Sequence, residues 1–144
     1  MIHARDSFRK HLVTKLSGTG VPLESNPDNS LVWNALNVLF MRDVPLTSTN
    51  PAEYELVTSL DIMVKGDASA VAERKAVQMA MTVNGAISGG WIKKQNWSNP
   101  ASPVDLGTFI WWRPWYDWRR VPEPEERNVH LNRTLSLHYT GQRL

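Results

Sequence analysis

The sequence predicts an α+β fold: a mainly antiparallel sheet with two helices packed on one face, plus long loop or hairpin arms. Three observations carry this. Apolar residues recur at helical spacing in residues 4–16 and again behind Asp67. They alternate with polar residues in 54–66 and 127–141. Between these segments, prolines and glycines gather where neither helix nor strand would hold them. A chain of 144 residues suits a single domain, 1–144, large enough to fold around its own core.

The first helix, 4–16, places Phe8, Leu12 and Leu16 on one stripe, with Arg5, Arg9 and Lys10 off it. "SGTGVPLESNPDNS" (17–30) is read as a loop, long enough to be an irregular arm. "LVWNALNVLF" (31–40) suits a strand with Val32, Leu36, Val38 and Phe40 on one face and Asn34 as the exception. Pro45 and Pro51 confine 41–53 to a loop or irregular edge. In "YELVTSLDIMVKG" (54–66), Leu56, Thr58, Leu60, Ile62 and Val64 alternate with a wetter face. Asp67 is placed as the N-cap of a second helix, whose Ala72, Ala76, Met79, Ala80, Val83 and Ile87 share a face. Asn84–Gly85 is its expected C-cap region. Short strands at 89–97 and 105–113 follow, the second ended by Pro114. The last strand, in "RNVHLNRTLSLHYTG", places Val129, Leu131, Leu135, Leu137 and Tyr139 on one face with Arg133. His130, Asn132, Thr134, Ser136, His138 and Thr140 form the polar other face.

Composition excludes several classes. Without cysteine there is no disulfide and no thiolate metal site, which agrees with assembly in a reducing compartment. The N-terminus lacks an apolar h-region and is not read as a secretory signal. No run approaches the ~18–20 apolar residues of a membrane span. A net charge of +2 is too small to point to nucleic acid. Neither a P-loop nor a GxGxxG is present, and no cofactor is expected.

Spacing along one helix or strand prevents His3 with His11, or His130 with His138, from sharing an ion. A solvated polar-face histidine is the expectation, and a solvated Pro-rich loop that for Glu123, Glu125 and Glu126. The sequons at Asn96 and Asn132 are read as chance matches. No catalytic constellation emerges, and an enzyme is not expected.

The conspicuous stretch is "TFIWWRPWYDWRRVPEPEE" (108–126). Four indoles can bring roughly 600–1,000 Å² of surface, at ~150–250 Å² each. The largest apolar patch on a typical monomer is about 300–600 Å². Some of these rings must be covered. Trp111 and Trp112 point to opposite faces of a strand. Residues 114–127 form a connection too long for a tight hairpin, read as a Trp/Arg/Pro-rich arm. Three readings compete. One is a loop capping its own core. Another is a small nucleic-acid- or carbohydrate-binding module with rings as stacking platforms. The third is a subunit interface, with Trp111, Trp112, Trp115, Tyr116, Trp118, Arg119 and Arg120 as candidate contacts.

The order of elements resembles a known family. An amphipathic helix, the strands "LVWNALNVLF" and "YELVTSLDIMV", the small-residue helix "ASAVAERKAVQMAMTVNGAI" and a closing "RTLSLHY" strand are similar to the tail-terminator and tail-completion (neck) proteins of tailed bacteriophages. The resemblance covers nearly the whole chain and rests on element order, size and the closing strand. It implies a structural, non-enzymatic virion protein. Such a protein forms a hexameric ring on the tail tube, ends tube polymerisation and joins the tail to the head, with the tail tube and/or sheath and the head-completion or collar proteins as partners. Genomic DNA passes through the lumen without sequence-specific binding. The implied location is the virion neck or tail, after assembly in the host cytoplasm. The 17–30 loop and the Trp-rich arm are enlarged relative to small family members.

Overall fold

The computed structural model describes residues 2–24, 30–48, 52–66, 71–88 and 90–141. Helix α1 (Ile2–Leu16) leads into strands β1 (Leu23–Glu24), β2 (Ala35–Pro45) and β3 (Glu53–Val64). Helix α2 (Val71–Ile87) follows. The chain ends in β4 (Trp91–Asn96), β5 (Val104–Pro114), β6 (Arg119–Val121) and β7 (Val129–Thr140). Among the described residues, one seven-stranded sheet runs β1-β2-β3-β7-β5-β4, with β6 also on β7. Its pairings are antiparallel except β1 with β2.

Both helices pack on one face of this sheet, as the periodicity predicts. Phe8, Leu12 and Leu16 of α1 and Ala72, Ala76, Met79, Ala80, Val83 and Ile87 of α2 are all buried. They share one core with Leu36 and Val38 of β2, Leu56, Leu60 and Ile62 of β3, and Leu135, Leu137 and Tyr139 of β7. The alanines of α2 let its backbone lie close to the central strands β3 and β7.

Several boundaries differ from expectation. Residues 41–45 are strand, because β2 continues to Pro45 against β3, with Val44 opposite Glu55. β1 pairs only as far as Asn37, so the remaining outer edge of β2 has no ladder partner in β1, and proline is tolerated there. Leu23–Glu24, placed in a loop, form that short parallel strand. The rest of the 17–30 segment includes 25–29, which lie outside the described residues. So does Asp67, and with it the proposed N-cap. The strand expected at 31–40 begins only at Ala35, and Asn34 precedes it in a turn for a local reason. It adopts φ 59° and its side chain accepts the Lys65 N–H. α2 does not stop at Asn84–Gly85 but runs to Ile87.

The largest correction concerns 114–127. It is not a free arm. Pro114 lies opposite Leu135, the Trp115 N–H bonds to the Thr134 carbonyl, and the chain resumes as β6 with Arg119 opposite Asn132. β5 and β6 thus occupy successive lengths of one β7 edge. The physical reason is that β7 extends beyond the reach of β5 and would otherwise leave backbone donors and acceptors unpaired. The connection also lies over part of the sheet face away from the helices, at His130, Asn132 and Thr134, and the face of β3 expected to be wetter is buried from Val57 to Met63.

Candidate functional site

The helix-free face carries two features, a buried polar ladder and an exposed row of rings. The ladder arises from the register of β3 and β7, which sets Asp61 opposite Asn132 and Ser59 opposite Thr134. Asp61 Oδ1 accepts from His130 Nε2 at 2.7 Å and from Asn132 Nδ2 at 2.9 Å, and Oδ2 accepts from Ser59 Oγ at 2.6 Å. The other ring nitrogen of His130 lies 3.2 Å from Glu123 Oε1. Tyr116 closes the ladder from above, its hydroxyl 2.8 Å from both Asn132 Oδ1 and Thr134 Oγ1. His130 and Glu123, expected in solvent, are therefore held in a shared network. His130 is buried at 8% exposure, because the 115–127 segment lies over it.

Electrostatics follow from this geometry. Burial disfavours the charged His130 ring, yet the hydrogen bond and charge of Asp61, with those of Glu123, outweigh it and raise its pKa. Burial likewise works against the Asp61 carboxylate. Donors from His130, Ser59 and Asn132 overcome that and lower its pKa. At the other end of β7, burial lowers the pKa of His138 despite the Glu55 carboxylate.

Ser136, His138 and Glu55 are the nearest approach to a nucleophilic triad. Ser136 Oγ donates to Glu55 Oε2 at 2.6 Å and lies 2.8 Å from His138 Nε2. Glu55 approaches that same nitrogen at 3.5 Å. A relay needs serine and carboxylate on opposite ring nitrogens and a reachable hydroxyl. Here both meet Nε2, and Ser136 is 1% exposed. Among the described residues, no group of three or more His, Cys, Asp or Glu side chains could hold a metal ion.

The rings are divided by burial. Trp112, a predicted contact residue, is instead core. It is 4% exposed, meets Phe8 edge-on at 5.4 Å between centroids, and donates Nε1–H to the Ile87 carbonyl at 2.8 Å. Trp118 is packed on the core and donates to Asn84 Oδ1 at 2.6 Å; Arg133 donates to that oxygen too. Tyr116 is half-buried in the ladder, with the Arg119 guanidinium over its ring at 4.7 Å. Arg120 lies 3.7 Å from Glu73. Only Trp111 and Trp115 of the predicted rings remain exposed.

The register adds rings that the sequence analysis missed. Trp91 stands opposite Trp111, and Phe109 is next but one along β5. Trp91 meets Phe109 edge-on at 4.9 Å, and Trp111 stacks on His138 at 4.2 Å with 9° between planes. Trp91 (65% exposed), Phe109 and Trp111 form one aromatic row on the helix-free face. Period-two alternation in both strands places these residues on like faces. Only the pairing of β4 with β5 brings them together.

No family model matches this sequence, and no curated protein does either.

Proposed function

We propose that the chain is a structural subunit of a ring in the neck or tail end of a tailed-phage virion. The ring is hexameric, ends the tail tube and joins it to the head-completion or collar proteins, with DNA passing through the lumen. The exposed row Trp91–Phe109–Trp111 carries this reading, with Trp115 further along the same chain segment. Rings are the side chains most enriched at interface hot spots, and contiguous exposed apolar surface is uncommon on a monomer. A ring needs a heterologous contact, one surface on each side of the subunit. The polar ladder fits a scaffold role, since its histidines and carboxylates satisfy one another.

The test is native mass spectrometry and sedimentation over a wide concentration range, for wild type and for the Trp91→Ser/Trp111→Ser pair. Wild type should populate a sixfold species, and the pair should dissociate it at least about tenfold more readily with unchanged circular dichroism. A wild-type chain that stays monomeric throughout counts against self-assembly. Equal behaviour of the two proteins counts against this surface.

One observation favours a second reading, single-stranded nucleic-acid binding. The exposed rings stand on adjacent antiparallel strands with Lys93 and Arg113 beside them. Its signature is a monomer that binds oligonucleotide with an affinity falling steeply with salt.

A further inference from the structure

The sheet order leaves β4 at an edge, and α1 runs beside it. Ser7 of α1 plugs that edge at one point. The Gln95 N–H donates to Ser7 Oγ at 3.0 Å, and the same hydroxyl donates back to the Gln95 carbonyl at 3.3 Å. The N–H and C=O of a strand residue point to one side, and residues two apart point to the same side. Gln95 faces outward, so Lys93 and Trp91 turn their backbone groups outward as well. The inward positions, Ile92 and Lys94, face β5 opposite Ile110 and Thr108.

These outward groups border a groove of about 400 Å³ between α1 and β4. Its walls include the rings of Trp91 and Trp97, and among the described residues its charged lining side chains are Lys10 and Lys93, with no carboxylate. Lys93 lies 3.5 Å from Asp105 across the hairpin. Among the described residues Lys10 makes no ion pair; its ammonium sits over Trp97 at 5.3 Å. His11, also on the wall, is bonded through Nε2 to the Ala86 carbonyl, and burial lowers its pKa, so it adds little positive charge at neutral pH.

The geometry points to a strand-addition site: an extended, acidic segment of a partner polypeptide pairs with the outer edge of β4 at Trp91–Lys93. Strand addition takes affinity from main-chain hydrogen bonds and specificity from pockets for alternate side chains. Here the main-chain groups of Trp91 and Lys93 would supply the first. The rings and Lys10 would supply the second, selecting a carboxylate beside apolar residues. Ser7 sets the length, because its hydroxyl already occupies the next outward position. The added strand is therefore short and ends at Gln95. Trp91 belongs to both groove and aromatic row, so such a segment would extend the proposed subunit surface around the sheet edge. The site goes beyond the ring reading, since it is open on a single chain.

The experiment uses the full chain and two blocked five-residue peptides of alternating valine, one with glutamates and one with lysines. Amide hydrogen exchange and chemical shifts are followed by NMR. The acidic peptide should slow exchange at the Lys93 and Trp91 amides, and the basic peptide should not. Lys10→Glu should weaken the acidic peptide about tenfold, the scale of one charge-assisted contact. Lys93→Pro should abolish binding while the fold persists, because the lost N–H lies outside the β4–β5 ladder. Failure of the acidic peptide to bind at millimolar concentration overturns the proposal. So does binding that leaves the Lys93 amide unprotected. Protection of that amide by raised protein concentration alone would assign the edge to a second copy and overturn it too, while leaving the ring reading intact.

Discussion

Trp112 shows how one residue can link three elements. Its indole comes from β5, packs against Phe8 of α1 and is tied by its N–H to the last residue of α2. Gly90 makes room for it. A Cβ built at Gly90 would lie 2.3 Å from the ring, far inside van der Waals contact. The ring cannot swing away without losing the Ile87 bond and entering packed core. Gly90→Ala should therefore destabilise the fold by about 1–3 kcal/mol, the range for overpacking a core, read from urea midpoints. An unchanged midpoint would mean that the indole relaxes freely. The sequence announced a strand tryptophan with two possible faces. That this one is inside, and Trp111 outside, follows from which side of β5 the helices cover, which alternation alone does not reveal.

The connection from Pro114 to Asn128 is the element whose character changed most. Length and proline content suggested an arm. The structure docks it through the Trp115 amide, the Tyr116 hydroxyl, the Trp118 indole and the Glu123 carboxylate. His130 fastens that segment to β3, and its protonation should govern how firmly. Its pKa is raised on folding, so its contribution to stability is complete below the ordinary histidine value of 6.5 and fades as pH rises through the higher folded value. His11 and His138 have lowered values and carry the opposite sign. Their contributions are complete above 6.5 and fade as pH falls through the folded values. Comparing wild type with His130→Gln cancels those two. The stability gap should narrow as pH climbs from about 6 toward 9, where unperturbed histidine has lost its proton. A gap that widens, or stays level, would show that Glu123 and Asp61 do not hold the ring charged. Neither partner could be assigned from sequence, because Asp61 is 69 positions from His130. Glu123 looked like one of three equivalent loop carboxylates.

At the scale of the whole molecule, α1, α2 and strands from both ends of the chain feed a single hydrophobic cluster. Among the described residues no part has a core of its own, so unfolding by urea should be one transition, coincident by far-ultraviolet dichroism and tryptophan fluorescence. Two separated transitions would mean that the β4–β5 hairpin, much of which lies outside that cluster, melts alone. The aromatic row and the β4 edge are both left uncovered, and the two meet at Trp91. The sequence by itself determined the α+β class, both buried helix stripes and the two faces of β7, because periodicity within an element is a local property of the chain. Only the tertiary structure decided which tryptophans are covered, that the polar face is sealed by 115–127, and that Trp91 joins Phe109 and Trp111. Those outcomes depend on strand register and on which face the helices occupy, and residues far apart in the chain set both.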